Sequence, residues 1–195
     1  MSDSLEEQSL LQKEAEQVAD LLQLETMLRD LGRPIRVGSS AMGLMVRRDI
    51  DITVICENLG PETRAAFAQI AARLMLMDSH VVSVRFRNDT GRWNKEPASY
   101  PDGLYLGLNV RTEEGADWTV DIWAVDQPER QPDLLHLRTL LPRITDKHRR
   151  IILTIKRELA ARSDKIPSAH VYEAVVDGGV DSVDQFEMWL STRKG

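Results

Sequence analysis

The sequence predicts an α+β fold, in which a β-sheet is flanked by helices and followed by a C-terminal helical part. Segments with apolar residues at every second position indicate strands, and segments with apolar residues three or four positions apart indicate helices. Both kinds of segment occur over the first 125 residues, whereas only helical patterns follow the break at residues 128–132. We therefore expect a sheet-containing core and a helical C-terminal part.

The composition is typical of a soluble globular protein, with 42% hydrophobic and 29% charged residues among 195. The formal net charge of −6 argues against binding to extended nucleic acid, which usually needs a basic surface. The single cysteine, Cys56, excludes an internal disulfide.

No apolar run reaches the roughly 18 residues of a membrane span, and the acidic N-terminus lacks the features of a signal peptide. We expect a cytoplasmic protein without membrane contact.

The first segment, residues 5–32, is predicted to form a single helix. It has no proline and no glycine before Gly32, and Gly32 and Pro34 mark its end. Its apolar stripe either packs on the core or provides a contact for a partner or a homodimer. The stripe consists of Leu11, Ala15, Val18, Leu22 and Leu28.

The most informative pattern follows this helix. A short strand ends at a turn made by Gly38, Ser39 and Ser40, and a second strand begins at Asp49, with nine residues between Ser39 and Asp49. Strand alternation places Asp49 and Asp51 on one face, with their Cα atoms about 7 Å apart. Two such carboxylates suit a divalent cation such as Mg2+, and the N–H groups and hydroxyls of the turn suit phosphate. Asp-x-Asp alone is also typical of a solvated strand face.

A helix and a strand are predicted after the motif. The helix over residues 61–77 has an apolar side and should cover the sheet. In the strand over residues 80–87, strict alternation places Val81 on the same face as Arg85 and Arg87. These arginines either face phosphates or lie on a solvated face.

A long loop and a hairpin come next. The loop over residues 88–103 is longer than most connections inside a domain. Residues 104–111 and 118–125 both alternate and are separated by a turn, which predicts an antiparallel hairpin. The loop residues that could contact a ligand, or simply anchor the loop, are Trp93, Lys95 and Tyr100.

Asp121 interrupts the apolar strand 118–125, since it stands between Val120 and Ile122. A charged side chain in such a setting is rarely buried unless it is paired or bound to metal. This favours Asp121 over Asp117 and Asp126 as a third metal ligand.

The C-terminal part contains one long helix and two short ones. The long helix, residues 145–162, begins with Thr145 as its N-cap. Lys147, one turn before Ile151, either points into a cleft as a nucleotide-binding residue or remains an exposed charge. After a break at residues 163–167, two short helices complete the chain, the second opened by Ser182.

Three short motifs together resemble the signature of the DNA polymerase β-like nucleotidyltransferase superfamily, in its small or minimal form. They are Gly38-Ser39, Asp49-Ile50-Asp51 and, on a later strand, Val120-Asp121-Ile122. The resemblance implies a mixed β-sheet flanked by helices. It also implies that Asp49, Asp51 and Asp121 hold two Mg2+ ions, while Gly38, Ser39 and Ser40 hold the phosphates of a nucleoside triphosphate.

The resemblance also implies an activity, the transfer of a nucleoside monophosphate to an acceptor with release of pyrophosphate. The expected acceptor is a hydroxyl of a small molecule or a protein, and the acidic composition disfavours an RNA end. Many members carry arginine where this chain has Met42, and Arg47 and Arg48 are the nearby cations. The alternatives are a non-catalytic nucleotide-binding or regulatory protein and a two-metal phosphohydrolase.

This interpretation divides the chain into three parts. Residues 1–33 form the N-terminal helix, residues 34–127 the nucleotidyltransferase-like catalytic core, and residues 133–195 the C-terminal helical part.

Overall fold

A computed structural model describes residues 4–162 and 166–193 of the chain. Its strands are β1 (Arg33–Val37), β2 (Asp49–Ile55), β3 (Val81–Asp89), β4 (Gly103–Arg111) and β5 (Asp117–Val125). They form one sheet in the order β1-β2-β5-β4-β3. The β2–β5 pair is parallel, and the other three pairs are antiparallel. The predicted hairpin of β4 and β5 and the mixed sheet are therefore confirmed.

Helices cover one face of the sheet and follow it in the chain. They are α1 (Ser4–Leu21), α2 (Leu24–Arg29), α3 (Gly38–Met42), α4 (Pro61–Met75), α5 (Pro132–Thr139), α6 (Asp146–Ala161), α7 (Ser168–Val176) and α8 (Val183–Ser191). The predicted break between α6 and α7 falls partly on residues 163–165, outside the described ranges. Helices flanking the sheet and helices at the C-terminal end confirm the predicted fold class.

The prediction of a single helix over residues 5–32 is wrong, because the chain breaks at Gln23. Gln23 adopts a left-handed conformation with φ of 51°, and α2 starts directly after it. Leu22 and Leu24 on either side are both buried. In a continuous helix, residues two apart would point in nearly opposite directions, so the break allows both leucines to enter the core.

The buried apolar residues form two separate cores. In the first, α1, α2 and α4 pack against one face of the sheet, where Ile50, Leu106 and Val120 are fully buried. Because strand side chains alternate, the opposite face carries Asp49, Asp51 and Asp121. The second core joins the C-terminal helices to the segment around α3; it includes Met42, Leu44, Ile152, Val171 and Phe186.

The predicted orientation of Val81 is wrong, because β3 contains a bulge. The pairing register shifts between Val81 and Ser83, and an extra residue reverses which side chains share a face. Val81 consequently packs against the first core, whereas Val82 is 64% exposed. After the bulge, Arg87 lies opposite Tyr105 in the register, on the polar side of the sheet.

Local hydrogen bonds fix the loop and the C-terminal helices. Asp102 accepts from the N–H of Gly91 at 2.8 Å and from the amide of Asn94 at 3.1 Å, which ties the long loop to the start of β4. Thr145 and Ser182 cap α6 and α8, as predicted. None of the helices in residues 4–162 and 166–193 combines the length and apolar character needed to traverse a bilayer.

Candidate active site

The three predicted carboxylates meet on the polar face of the sheet. The parallel pairing of β2 with β5 places Asp51 opposite Asp121 and Asp49 opposite Thr119. One carboxylate oxygen from each of Asp49, Asp51 and Asp121 lies within 4.8 Å of the others. Residues 70 positions apart in sequence are thus brought within reach of one shared cation.

The electrostatics of this cluster are unfavourable without a cation. Burial raises the pKa of the Asp51 carboxyl from 3.8 to about 8, and the charge of Asp49 adds to the shift. Burial also raises the pKa of Asp121, although the hydrogen bond from Tyr105 opposes this shift. Carboxylates that are close together and partly desolvated disfavour their charged forms. A divalent cation would remove this penalty, so the donor set fits a metal such as Mg2+.

Two hydroxyl groups orient the outer carboxylates. Thr119 donates to Asp49 Oδ1 at 2.6 Å, and Tyr105 donates to Asp121 Oδ1 at 2.6 Å. Gly107 makes room for the tyrosine, since a Cβ there would lie 2.4 Å from the Tyr105 hydroxyl. Sequence reasoning missed Tyr105, although alternation along β4 places it on the same face as Gly107, which lies opposite Asp121.

Gly38 forms a close contact inside the site. It adopts a φ of 65°, and a Cβ at this position would lie 2.1 Å from Asp51 Oδ2. Both facts require glycine, because a side chain would be strained and would displace the carboxylate. The predicted turn is the start of the short helix α3. Ser40 is buried there, and its hydroxyl donates to the carbonyl of Val37 at 3.3 Å.

A cavity of about 620 Å³, here called the first cavity, opens beside Asp49. Ser39 and Arg47 line it on the side of the core, and the start of α7 lines it on the C-terminal side. Lys156 of α6 also lines it; its ammonium group donates to the Leu44 carbonyl at 2.7 Å. Burial lowers the pKa of Lys156 to about 8, against the attraction of the nearby aspartates.

The structure does not bring Lys147 to this cavity. Lys147 is exposed on the first turn of α6, about 13 Å along the helix from Lys156. The signal that could have identified Lys156 is its place in the apolar stripe of α6, between Ile152 and Leu159. A lysine at a buried helix position is uncommon without a partner.

Met42 stands where many members of the resembled superfamily have arginine, and the nearby cations are Arg47 and Arg48. Met42 is 2% exposed and belongs to the second core. Arg47 lines the first cavity, whereas Arg48 pairs with Glu14 at 3.1 Å. Positive charge at the cavity therefore comes from Arg47 and Lys156.

Solved structures of similar fold exist for this chain. No family model matches the chain, and the search of curated proteins finds no match. A structure of the RNA terminal uridylyl transferase Cid1 matches with a TM-score of 0.56 at 15% identity, over 84% of this chain and 46% of that one. A variant of the Cid1 poly(U) polymerase bound to MgATP matches with a TM-score of 0.53 at 18% identity, over 78% and 43%. The MgGTP-bound form gives 0.51 at 17% identity, over 77% and 42%.

The chain thus spans less than half the length of these solved structures. At such identities the likeness establishes the fold, and it agrees with the motifs in the sequence. The mixed sheet, the position of the paired aspartates on β2 and the third aspartate on β5 all agree with this assignment. The chain therefore has the fold of these solved Cid1 structures, as the resemblance in the sequence predicted.

Proposed function

We propose that the protein is a metal-dependent nucleotidyltransferase, which moves a nucleoside monophosphate from a nucleoside triphosphate to a hydroxyl of an acceptor and releases pyrophosphate. The observation that carries this proposal is the convergence of Asp49, Asp51 and Asp121 within 4.8 Å, beside a cavity that contains a serine, an arginine and a lysine. The catalytic core comprises residues 34–127, and the helical part comprises residues 133–195.

Asp49, Asp51 and Asp121 would hold two Mg2+ ions. When bound, the ions would lower the pKa of the attacking hydroxyl and stabilise negative charge on the leaving pyrophosphate. The Cid1 structures, described as those of a UTP-selective enzyme, hold MgGTP in one case and MgATP, in a mutant, in the other. They support magnesium and a nucleoside triphosphate as ligands of this fold, so ATP and UTP are the first nucleotides to test.

The protein's own residues orient the two substrates. The N–H groups of Gly38 and Ser39, together with that of Ser40, face the phosphates from the start of α3, and Arg47 and Lys156 supply positive charge. Asp121 stands on the acceptor side. Its Oδ1 accepts from Tyr105, which leaves the second oxygen to accept the proton of the acceptor hydroxyl.

The direct test is calorimetric titration of each nucleoside triphosphate, with and without Mg2+. Wild-type protein should bind at least one triphosphate only when Mg2+ is present, and the double substitution Asp49→Ala, Asp51→Ala should abolish that binding. A folded wild-type protein that binds no triphosphate would contradict the proposal. Pyrophosphate release that depends on an acceptor would separate transfer from hydrolysis.

Lys156 should contribute to triphosphate binding, whereas Lys147 should not. We expect Lys156→Met to weaken triphosphate binding about 10-fold or more, because a charge–phosphate contact is lost. The substitution also removes the hydrogen bonds to the Leu44 carbonyl and the Tyr172 hydroxyl, so binding is compared at a temperature where the variant is folded. Lys147→Met is the matched control on the same helix and should leave the dissociation constant unchanged. If both substitutions weaken triphosphate binding equally, the effect comes from the total charge of α6 and not from a contact made by Lys156.

The acceptor is proposed to be a small molecule or a protein hydroxyl. The net charge of −6 supports this choice over a long nucleic acid, because the excess of acidic over basic residues opposes binding of an extended phosphate backbone. A screen of candidate acceptors with labelled triphosphate, scored by transfer of the label, tests it.

A further inference from the structure

A second cavity, of about 540 Å³, opens on the other side of the carboxylate cluster. Its floor is the polar face of β3 and β5, where Arg85, Arg87 and Trp123 lie. The long loop before β4 covers it with Tyr100 and Lys95. Asp49 on β2 lines the first cavity, and Trp123, two residues after Asp121 on the same face of β5, lines the second. The carboxylates therefore lie between two cavities, as a reaction with two substrates requires.

The walls of the second cavity offer flat faces. Arg87 lies over the rings of Tyr105 and Trp123, at 4.8 and 5.1 Å from their centroids. Its Nε donates to both carboxylate oxygens of Asp89, at 2.7 and 3.0 Å. Arg87, itself fixed by Asp89, therefore packs against the ring of Trp123. Tyr100 is 47% exposed on the loop opposite. Trp123 and Tyr100 both line the cavity, and aromatic side chains of this kind stack on planar rings.

The cavity also offers cations for an anionic group. Among the residues that the structure describes, Arg85 and Lys95 have no hydrogen bond or ion pair within the protein. Three acidic residues also line the cavity. Asp89 is paired with Arg87, burial raises the pKa of Asp133 and so favours its neutral form, and Glu96 is exposed on the loop. Arg85 and Lys95 thus remain available for an anionic group, with one exposed carboxylate beside them.

We propose that the second cavity binds the acceptor, and that the acceptor is a nucleotide unit: a planar ring that stacks on Trp123 and Tyr100 and a phosphate that pairs with Arg85 and Lys95. This inference rests on the proposed function and narrows its acceptor. Trp123 follows Asp121 by two residues on the same strand face, about 7 Å away. A ring stacked on Trp123 thus places its sugar hydroxyl next to Asp121.

The test uses nucleoside monophosphates as probes. Each monophosphate is titrated calorimetrically into the full chain, with the first cavity filled by Mg2+ and a non-hydrolysable triphosphate. Arg85→Ala and Tyr100→Ala change exposed side chains, so both variants should fold. Each should weaken monophosphate binding about fivefold or more, while Arg138→Ala, an exposed arginine elsewhere on α5, should have no effect.

Two further probes define the chemistry. A nucleoside without phosphate should bind at least fivefold more weakly than its monophosphate, and equal binding would overturn the anionic part of the inference. A short oligonucleotide is compared with the free monophosphate: tighter binding that still depends on Arg85 identifies a strand end as the acceptor, and weaker binding identifies a free nucleotide.

The outcomes separate this inference from the proposed function. If a triphosphate binds with Mg2+ but no monophosphate or oligonucleotide binds in a manner sensitive to Arg85→Ala, the second cavity is not the acceptor site and the proposed function stands. Monophosphate binding that is weakened by Lys156→Met and not by Arg85→Ala would place the probe in the first cavity and would also overturn the inference.

Discussion

Replacing Asp51 by asparagine is expected to reduce metal-dependent nucleotidyl transfer by about 100- to 1,000-fold or more, a loss typical for removal of one electrostatic group from a reaction centre. Asp51 is the central carboxylate of the three, lying beside Asp49 on β2 and opposite Asp121 on β5. Its amide replacement keeps the shape and removes the charge that would hold a cation. Pyrophosphate release measured over a range of Mg2+ concentrations gives the loss.

The same substitution is expected to stabilise the metal-free protein at alkaline pH. The pKa of Asp51 is raised from 3.8 to about 8 on folding, so the folded state holds the proton more tightly than the unfolded state. Between these two values the unfolded state has already released its proton, and the free energy of unfolding falls as the pH rises. Asparagine cannot ionise, so its variant avoids this loss.

Thermal unfolding in the presence of a chelator, from pH 5 to pH 8.5, measures this effect. The difference between Asp51→Asn and wild type should grow towards pH 8 and reach on the order of 1 kcal/mol or more. Asp117→Asn is the control, because Asp117 is exposed at the start of β5 and should show no such gain. Added Mg2+ should stabilise wild type and not Asp51→Asn. A variant less stable than wild type at pH 8 would contradict the expectation.

Replacing Gly38 by alanine is expected to disrupt the site by a different route. The new Cβ would lie 2.1 Å from Asp51 Oδ2, so the carboxylate has to move out of the cluster. The residue would also adopt a positive φ, which costs about 1–2 kcal/mol for an L-residue with a side chain. We expect a loss of Mg2+-dependent triphosphate binding of at least about 10-fold, together with a lower unfolding temperature.

Gly115→Ala separates the strain of a positive φ from the displacement of the Asp51 carboxylate. Gly115 lies in the turn between β4 and β5 with a φ of 82°, and a Cβ there would meet no atom within 4 Å. This control should therefore lose stability through strain alone and keep full triphosphate binding. If both alanine variants bind triphosphate like wild type, at a temperature where both are folded, the contact between Gly38 and Asp51 does not position the carboxylate.

Much of the site could be predicted from local patterns. The Gly38-Ser39 pair, the alternation that puts Asp49 and Asp51 on one face, and the charge of Asp121 inside an apolar strand are all visible in short stretches of sequence. A strand period of two depends only on backbone geometry. The resemblance to nucleotidyltransferases then predicted that the strand of Asp121 would lie near the other two.

Other features depended on contacts between distant segments. Lys147 and Lys156 share one helix, and only the packing of α6 against α7 and the core decides that Lys156 lines the first cavity. Tyr105 reaches Asp121 across the sheet because Gly107 leaves space, and nothing near Tyr105 in the sequence indicates that partner.

The sequence by itself determined the class of fold, the main strands and helices, and the three carboxylates, because each follows from a short-range period or an unusual charge. The tertiary structure decided the break at Gln23, the bulge after Val81 and the position of Lys156 at the first cavity. These features arise where burial of apolar side chains overrides regular backbone geometry, and burial is set by residues far apart in the chain.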